Sequence, residues 1–461
     1  MGSNSVGETD QHAIRIWEVN KERLVSMQRK ISDTPRLLSK SAGHSSCCIF
    51  RVPQSYIDIN CLSYQPHVVS IGPYHHGKQH LQMIQEHKWR YLDALLKRTQ
   101  KKGLVLEDYL KAIQPHEMSA RDCYSETIHL DKDEFVEMLV LDGCFIIEMF
   151  RKFGGLVDPD PDDPLISMSW VLPFLSRDLV RLENQIPFFI LKCLFDLTQM
   201  PGEENGRSLA TLALEFFNYM TQRPDEVLRK YGNHEGRHLL NFLRTSFIPK
   251  DDQQWQPRVI RRFSTHGSAA STNLIHCISK LRRAGIKLEH VKPESAKSFL
   301  VVKFKKHGVI EMPTITIDDF MSSFMLNCVA YEQCHKDCSG SMHFTTYATL
   351  LDCLINTSKD VESLCDRHII ENYFGTDADI ANFINNLGKD VSFDVELCYL
   401  AGLFNDVNGY YKNSWHVQWA SFKYTYFDTP WSFISALAAL VLLILTLLQT
   451  FYTIMGYVLP K

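Results

Sequence analysis

Apolar residues recur at helical spacing in LQMIQEHKWRYLDALL, which covers residues 81–96. At 100° per residue, one stripe about 80° wide collects four of them: Leu81, Ile84, Leu92 and Leu95. Lys88 falls at the centre of that stripe. The pattern therefore predicts a helix, from Gln79 onward, that directs a lysine towards its own core.

The same pattern occurs with the opposite charge in three other predicted helices. The acids in question are Asp142 in a helix over 133–150, Glu183 in one over 170–197, and Glu332 in one over 319–333. The first of these helices is apolar on nearly every side, which is typical of a buried helix. Pro187 interrupts the second, because its ring displaces the carbonyl four residues back.

A buried lysine without a partner would lose its proton or destabilise the fold. We therefore expect a buried ion pair among Lys88, Asp142, Glu183 and Glu332, with Glu183 or Glu332 as the preferred partner of Lys88. Such a pair either fixes how two helices dock or belongs to a ligand-binding or catalytic centre, since perturbed titratable groups cluster at active sites. The pattern alone leaves both interpretations open.

Two adjacent histidines precede the helix of Lys88. His75 and His76 lie in a predicted loop between Gly72 and Gly77. A pair of histidines can act as general acid and base, or it can simply hydrogen-bond a loop. His75, His76 and Lys88 are thus candidates for catalysis, and no catalytic residue is assigned.

A change from helical to alternating spacing marks a small β-structure. Residues 299–304 and 309–317 are β-branched or apolar runs with His307-Gly308 between them, which predicts a strand pair. The other elements are helical, so the expected fold class is mainly α. It comprises one large helical domain over residues 46–425, with a small β-hairpin or sheet.

Two polar stretches lie outside this pattern. Residues 1–45 form a polar amino-terminal segment, and 250–273 has the composition of a flexible insert. The insert contains RRFS, which makes Ser264 a possible phosphorylation site for a basophilic kinase.

The segment WSFISALAALVLLILTLLQTFYTIMGYVL, residues 431–459, carries no formal charge. A membrane-spanning helix needs about 20 apolar residues, and aromatic residues at both ends are typical of the lipid–water interface. We expect a single-pass, tail-anchored protein in the plasma membrane or an endomembrane. Its large domain is expected in the cytosol, because the chain begins without the basic and apolar stretches of a signal peptide.

Charge and cysteine content limit the classes of partner, metal and cofactor that we expect the protein to bind. The net charge of −4 over 461 residues implies no basic surface, so nucleic acid is not an expected partner. The 13 cysteines are scattered, which favours reduced thiols. Cys334 and Cys338 lack the second ligand pair of a zinc site, so no metal is expected. We find no Ser-hydrolase elbow and no glycine-rich phosphate or dinucleotide motif, and we expect no cofactor.

Several blocks together resemble the plant domain of unknown function 247 family. They stand in one order from about residue 48 to the end: RVPQSYIDIN, YQPHVVSIGPYHHG, EHKWRYLDALL, LENQIPFFIL, LRRAGIKLE, GVIEMPTITIDD, NCVAYEQC and the apolar tail. The resemblance implies a largely uncharacterised plant protein with one membrane span and no agreed catalytic residues. Some grass members are linked to self-incompatibility, and others to stress and development.

The leading expectation is therefore a membrane-anchored interaction or recognition protein that binds the bilayer through its tail and a protein through its large domain. The alternative is an enzyme, for example a transferase, with a pocket near His75, His76 and Lys88. A third interpretation is a scaffold for another membrane protein, with its interface on the aromatic segment 415–431.

Overall fold

The structure is a computed structural model that describes the following parts of the chain: residues 20–32, 38, 40–200, 206–249, 274–291, 298–335, 342–392, 394–412 and 430–458. These parts are mainly helical and contain two small sheets, which confirms the expected fold class. Ser264 and the predicted insert 250–273 lie outside the described residues.

The helices of the amino-terminal part are numbered α1 to α12 along the chain. Their bounds are Lys21–Ser32, Gln54–Ile59, Gln82–Thr99, Leu106–Ile113, Glu117–Arg121, Lys132–Phe153, Pro164–Ser167, Val171–Asp178, Phe188–Leu197, Leu209–Thr221, Asp225–Tyr231 and Leu239–Phe247.

The described helices of the carboxyl-terminal part are numbered α13 to α19. Their bounds are Ile278–Arg283, Asp319–Cys334, His343–Leu354, Ser358–Cys365, Asp377–Leu387, Ala401–Lys412 and Pro430–Val458.

The β-structure forms two small sheets. In the first, β3 (Val309–Pro313) pairs antiparallel with β2 (Lys303–Lys305) and parallel with β1 (Lys287–Val291). The predicted strand pair is thereby confirmed, and Gly308 supplies the positive φ of 77° in its turn. In the second sheet, β4 (Ile315–Ile317) pairs parallel with β5 (Ile370–Asn372), in the register Ile315↔Ile370.

Helix α6 lies at the centre of the amino-terminal core and packs against α3, α4, α9 and α10. It begins with a capping box, in which the Asp131 side chain accepts from the Glu134 N–H and the Glu134 side chain accepts from the Asp131 N–H. Every residue from Met138 to Arg151 is buried. The prediction of a buried helix over 133–150 is therefore confirmed.

The helix predicted over 170–197 is interrupted at Pro187 as expected, but the break is longer than predicted. The chain forms α8, leaves helical geometry after Asp178, and begins α9 at Phe188 with Pro187 as the N-cap residue. A proline is tolerated here because it needs no intrahelical N–H partner at a helix start. The break matters for the site, since the polar side chains of 178–185 turn inward within it.

Helix α19 is the one helix of the described residues that is long and apolar enough to cross a membrane. Its apolar window runs from Ile434 to Met455 and has 22 residues. No part of that window is buried against the rest of the described structure. A helix of this composition could instead belong to the core of a protein, but its apolar side chains would then be packed against other elements, and those of α19 are exposed.

Candidate functional site

The loop His67–Gly72 crosses the core without regular secondary structure, and side chains bind its backbone. The carboxylate of Asp178 accepts the N–H groups of His67, Val68 and Val69 at 2.7–3.0 Å. Further along, the Ile71 N–H donates to Asn184 Oδ1 at 2.7 Å. Buried backbone groups need such partners, so this loop depends on polar side chains from α8 and the segment after it.

Lys88 belongs to the same network. Its ammonium group lies 2.5 Å from Oδ1 of Asp142 and also donates to the Ser70 carbonyl. Oδ2 of Asp142 accepts the Gly72 N–H at 2.7 Å. Lys88 thus points inward because a carboxylate on α6 and a loop carbonyl lie there. The acid that it meets is Asp142, so the preference for Glu183 or Glu332 as its partner is wrong.

The Lys88–Asp142 pair is sealed from solvent. Lys88 is 0% exposed and Asp142 1% exposed. Burial lowers the pKa of Lys88, while the charge and the hydrogen bond of Asp142 oppose that shift. Neither residue lines the larger cavities of the described residues, whose volumes run from about 290 to about 740 Å³. This geometry suits an ion pair that holds a loop, and it gives a substrate no path to the amine.

Glu183 holds a second inward-facing cluster. Its Oε1 accepts the Val52 N–H at 2.8 Å, and its Oε2 accepts from Nη1 of Arg51 at 2.9 Å. Nε2 of His75 lies 3.0 Å from the same Oε2, in a poorly aligned contact. Burial by itself would raise the pKa of Glu183, but the bonds from His75 and Val52 and the charge of Arg51 outweigh it and lower the pKa.

The two histidines of the loop face different environments. His75 is 1% exposed, and burial lowers its pKa although Glu183 pulls in the other direction. His76 is exposed and lines a surface cleft of about 290 Å³ together with Arg51, Glu126 and His129. The structure therefore does not bring His75, His76 and Lys88 to one pocket.

Glu332 has its own cation. Nε and Nη2 of Arg244 donate to its Oε1 at 2.8 and 2.5 Å. The same carboxylate also accepts hydrogen bonds from the backbone N–H groups of Phe344 and Thr345, at 3.1 and 2.7 Å. Both N–H groups belong to the first turn of α15, where a negative charge is stabilised. Glu332 therefore joins α12, α14 and the start of α15.

The hydrophobic pattern does not predict a role for Arg51 or Arg181, although both form ion pairs with acids of the buried network. Nε of Arg181 donates to Asp178 at 3.0 Å and its Nη1 to the Leu62 carbonyl at 2.8 Å. The available signal is the spacing of Asp178 and Arg181, an acid and a base three residues apart in an apolar stretch. Arg51 reaches Glu183 from 132 positions away along the chain, which no local pattern encodes.

One motif-like stretch is HEGRH, His234–His238, which has the HExxH spelling of helical zinc sites. In the structure it forms the loop before α12 and not a helix. His238 is the N-cap residue of α12 and accepts from the Asn241 N–H. Glu235 forms a surface ion pair with Lys192. The two histidines therefore do not share a helix face as that motif requires.

A larger cavity lies elsewhere among the described residues. Its volume is about 740 Å³, and Arg223, Asp318 and Glu371 line it together with apolar side chains. Nη1 of Arg223 donates to the carbonyl and the hydroxyl of Ser246, and burial lowers the pKa of Arg223 to about 10. One base and two acids give this cavity no preference for an anion.

These features define a class: a helical protein whose buried ion pairs hold irregular core loops, with one exposed apolar helix near the carboxyl end. Family comparison agrees, and the chain belongs to a plant protein family of unknown function whose model, domain of unknown function 247, matches residues 49–445. The resemblance drawn from the sequence blocks is thereby confirmed.

Two relatives from Arabidopsis thaliana extend over nearly the whole chain. A UPF0481 protein is 38% identical over 443 residues, which cover 93% of this chain and 91% of the relative. A putative UPF0481 protein is 23% identical over an alignment 533 residues long, which covers 96% of each chain. No solved structure matches this chain.

Proposed function

We propose that this plant protein is anchored in a membrane by α19 and acts by binding another protein through its helical domain. The observation that carries the membrane-anchoring part of the proposal is the exposed apolar window of α19, Ile434–Met455. At 1.5 Å per residue its 22 residues extend over about 33 Å, which matches a hydrocarbon core of about 30 Å. In water, a helix with Leu442 64% exposed and Leu447 63% exposed would associate or aggregate.

Binding is proposed over catalysis because of the environments of the three candidate residues. Lys88 is enclosed with Asp142, His75 is enclosed with Glu183, and His76 alone reaches a cleft. A general acid or base must come within hydrogen-bond reach of its substrate. The enzyme alternative, which needs one pocket near these three side chains, has no such pocket to support it.

Partner choice is proposed to depend on segments 200–236 and 250–273, which contain none of the family blocks quoted above. The first contains α10 and α11, and Tyr219 there is 66% exposed. The second lies outside the described residues. Variable segments carried on a fixed core are where binding specificity commonly resides. A role in self-incompatibility, or in stress and development signalling, rests on the family resemblance alone.

Membrane anchoring is tested by expressing the full chain with membrane vesicles and extracting them with alkaline carbonate. The wild-type chain is expected to stay with the lipid. The double variant Leu442→Arg/Leu445→Arg should be released, because each arginine near the centre of a span costs about 2.5–3.5 kcal/mol. Leu62→Arg, at a position 73% exposed outside α19, is the matched control and should remain bound.

Release of the wild-type chain by carbonate would overturn the anchor. Protease protection of the amino terminus in intact vesicles then reports the side on which the large domain lies. The proposal expects cleavage from the cytosolic side, and full protection would contradict that orientation.

Partner binding is tested by exchanging segment 200–236 for the corresponding segment of the 38% identical relative. Proteins cross-linked to the anchored chain are then compared among the two parents and the exchange variant. The proteins cross-linked to the exchange variant are expected to be those of the relative that supplied segment 200–236. If they are instead those of the parent that supplied the rest of the chain, the assignment of specificity to this segment is contradicted.

A further inference from the structure

Cys48 and Cys123 lie side by side on two neighbouring segments of the core. Ile49 and Tyr124 form a parallel β-bridge, and the Cys48 N–H donates to the Cys123 carbonyl at 2.9 Å. This register places residue 48 opposite residue 123. Neighbouring strands lie about 4.8 Å apart, and a disulfide needs Cα atoms about 4.4–6.8 Å apart. The backbone is therefore already set for an S–S bond.

The two thiols are also in contact. Both cysteines are free in this structure, and their side chains are hydrogen-bonded to each other. Sγ of Cys123 in turn donates to the Ser119 carbonyl at 3.3 Å. The strand register and this contact thus place the two side chains next to each other inside the core.

Cys123 differs from the neighbouring thiols in the direction in which its surroundings shift its pKa. The hydrogen bond from Cys48, aided by the charge of Arg237, holds the pKa of Cys123 below its ordinary value despite burial. Burial instead raises the pKa of Cys47 and of Cys334 to about 12. The thiolate is the form that reacts with oxidants. Cys123 is 7% exposed against 2% for Cys48, so a small oxidant meets Cys123 first.

We infer that Cys48 and Cys123 form a peroxide-oxidisable pair that closes to a disulfide. The Cys123 thiolate attacks one oxygen of hydrogen peroxide, and the O–O bond breaks with release of hydroxide, which leaves a sulfenic acid on Cys123. The Cys48 sulfur then attacks that sulfur and displaces its hydroxyl group. The two thiol protons complete the leaving oxygens as water, so two thiols and one peroxide give one disulfide and two waters.

The disulfide would stabilise the cluster around Glu183. Residues 47–52 lead directly from Cys48 to Arg51 and to the Val52 N–H, both of which bind that carboxylate. A covalent tie between residues 48 and 123 restricts the unfolded chain over a long loop. For a chain of this size we expect the melting temperature to rise by about 5 °C.

The experiment treats the full chain, purified in detergent micelles, with hydrogen peroxide and then blocks the remaining thiols. Non-reducing proteolysis with mass spectrometry should identify a peptide pair linked through Cys48 and Cys123. Thermal melting of the same sample should show the rise, and a reductant should reverse it. A Cys47→Ser background keeps the assignment to Cys48 unambiguous, and the linked pair should persist in it.

Three single variants separate the steps. Cys48→Ser should leave Cys123 as a sulfenic acid that a dimedone-type probe labels, whereas Cys123→Ser should give neither label nor link. Cys61→Ser, at an exposed cysteine, is the control and should still form the link. The reduced melting temperature of each variant verifies folding. The inference is overturned if peroxide oxidises Cys61 while Cys48 and Cys123 stay reduced, or if Cys123 links to Cys47 instead.

Discussion

The ammonium group of Lys88 and Oδ1 of Asp142 lie 2.5 Å apart, and each residue also binds the backbone of the loop 67–72. The pair therefore does more than neutralise two charges. It supplies a donor to the Ser70 carbonyl and an acceptor to the Gly72 N–H, in a place that water does not reach. Because a helix or a sheet supplies neither partner to this loop, the ion pair stands in for regular secondary structure.

Replacement of Lys88 tests that role. Lys88→Met leaves the Asp142 carboxylate buried without its cation, and breaking a buried pair in this way costs about 3–5 kcal/mol. Denaturant unfolding of the detergent-solubilised chain measures the loss. Lys97→Met on the same helix is the control, since Lys97 is 74% exposed in a surface pair with Asp93. The control should change the unfolding free energy by under about 1 kcal/mol. Equal effects of the two variants would contradict the role of Lys88.

A double-mutant cycle separates the pair from its backbone contacts. Lys88→Met with Asp142→Leu removes both charges, so the double variant should be more stable than the sum of the two single losses by at least about 1 kcal/mol. It should not regain wild-type stability, because the Ser70 carbonyl and the Gly72 N–H each remain unsatisfied at about 1–3 kcal/mol. Strictly additive unfolding free energies would mean that the two side chains act independently.

Gly72 tests how closely this loop approaches the segment after α8. Its φ is +76°, and a Cβ atom there would collide with the carbonyl oxygen of Gln185. Gly77 has nearly the same φ, +78°, with nothing within 4 Å of the equivalent position. Gly77→Ala therefore measures the backbone strain alone, about 1–2 kcal/mol. Gly72→Ala should lose clearly more in the same unfolding experiment, and a similar loss at both glycines would show that the loop can move away.

The buried position of Lys88 could be predicted because the stripe around it has a strict helical period. Its partner could not, because Asp142 meets it only after α3 and α6 pack together, 54 positions apart in sequence. Glu183 and Glu332 lay in equally apolar settings, and nothing local distinguishes the three acids. The pattern establishes that a carboxylate is needed; tertiary packing selects which one.

The sequence pattern is local and does not report tertiary contacts, and this also explains the errors in the predicted secondary structure. The strand pair predicted over 299–304 and 309–317 forms between 303–305 and 309–313, and a short turn with a glycine joins its strands, so it is encoded locally. The pairing of Ile315 with Ile370 joins residues 55 positions apart and has no local signal. The sequence places the interruption of the helix over 170–197 at Pro187 alone, because its apolar stripe continues as far as Ile186, whereas the structure leaves helical geometry after Asp178. Asp178, Asn184 and Gln185 end the helix there by bonding to backbone outside it.

His238 gives the fold a predictable response to acid. It is 0% exposed, and burial lowers its pKa to about 3 from an ordinary value near 6.5. Between those values the unfolded chain binds a proton at this position and the folded chain does not. Stability is therefore greatest above about pH 6.5 and falls towards pH 3. The slope from this one group is about 1.4 kcal/mol per pH unit.

Asparagine at this position isolates the contribution of His238. His238→Asn keeps a side chain that can cap α12, as His238 does for the Asn241 N–H, but it does not titrate. The unfolding free energy, measured at several values between pH 4 and 6, should then fall with a slope smaller by about 1.4 kcal/mol per pH unit. His76→Asn, at an exposed histidine, is the matched control and should leave the slope of the wild type. A slope unchanged in His238→Asn would mean that this histidine is protonated in the folded protein, and that the core around Gln185 admits a charge.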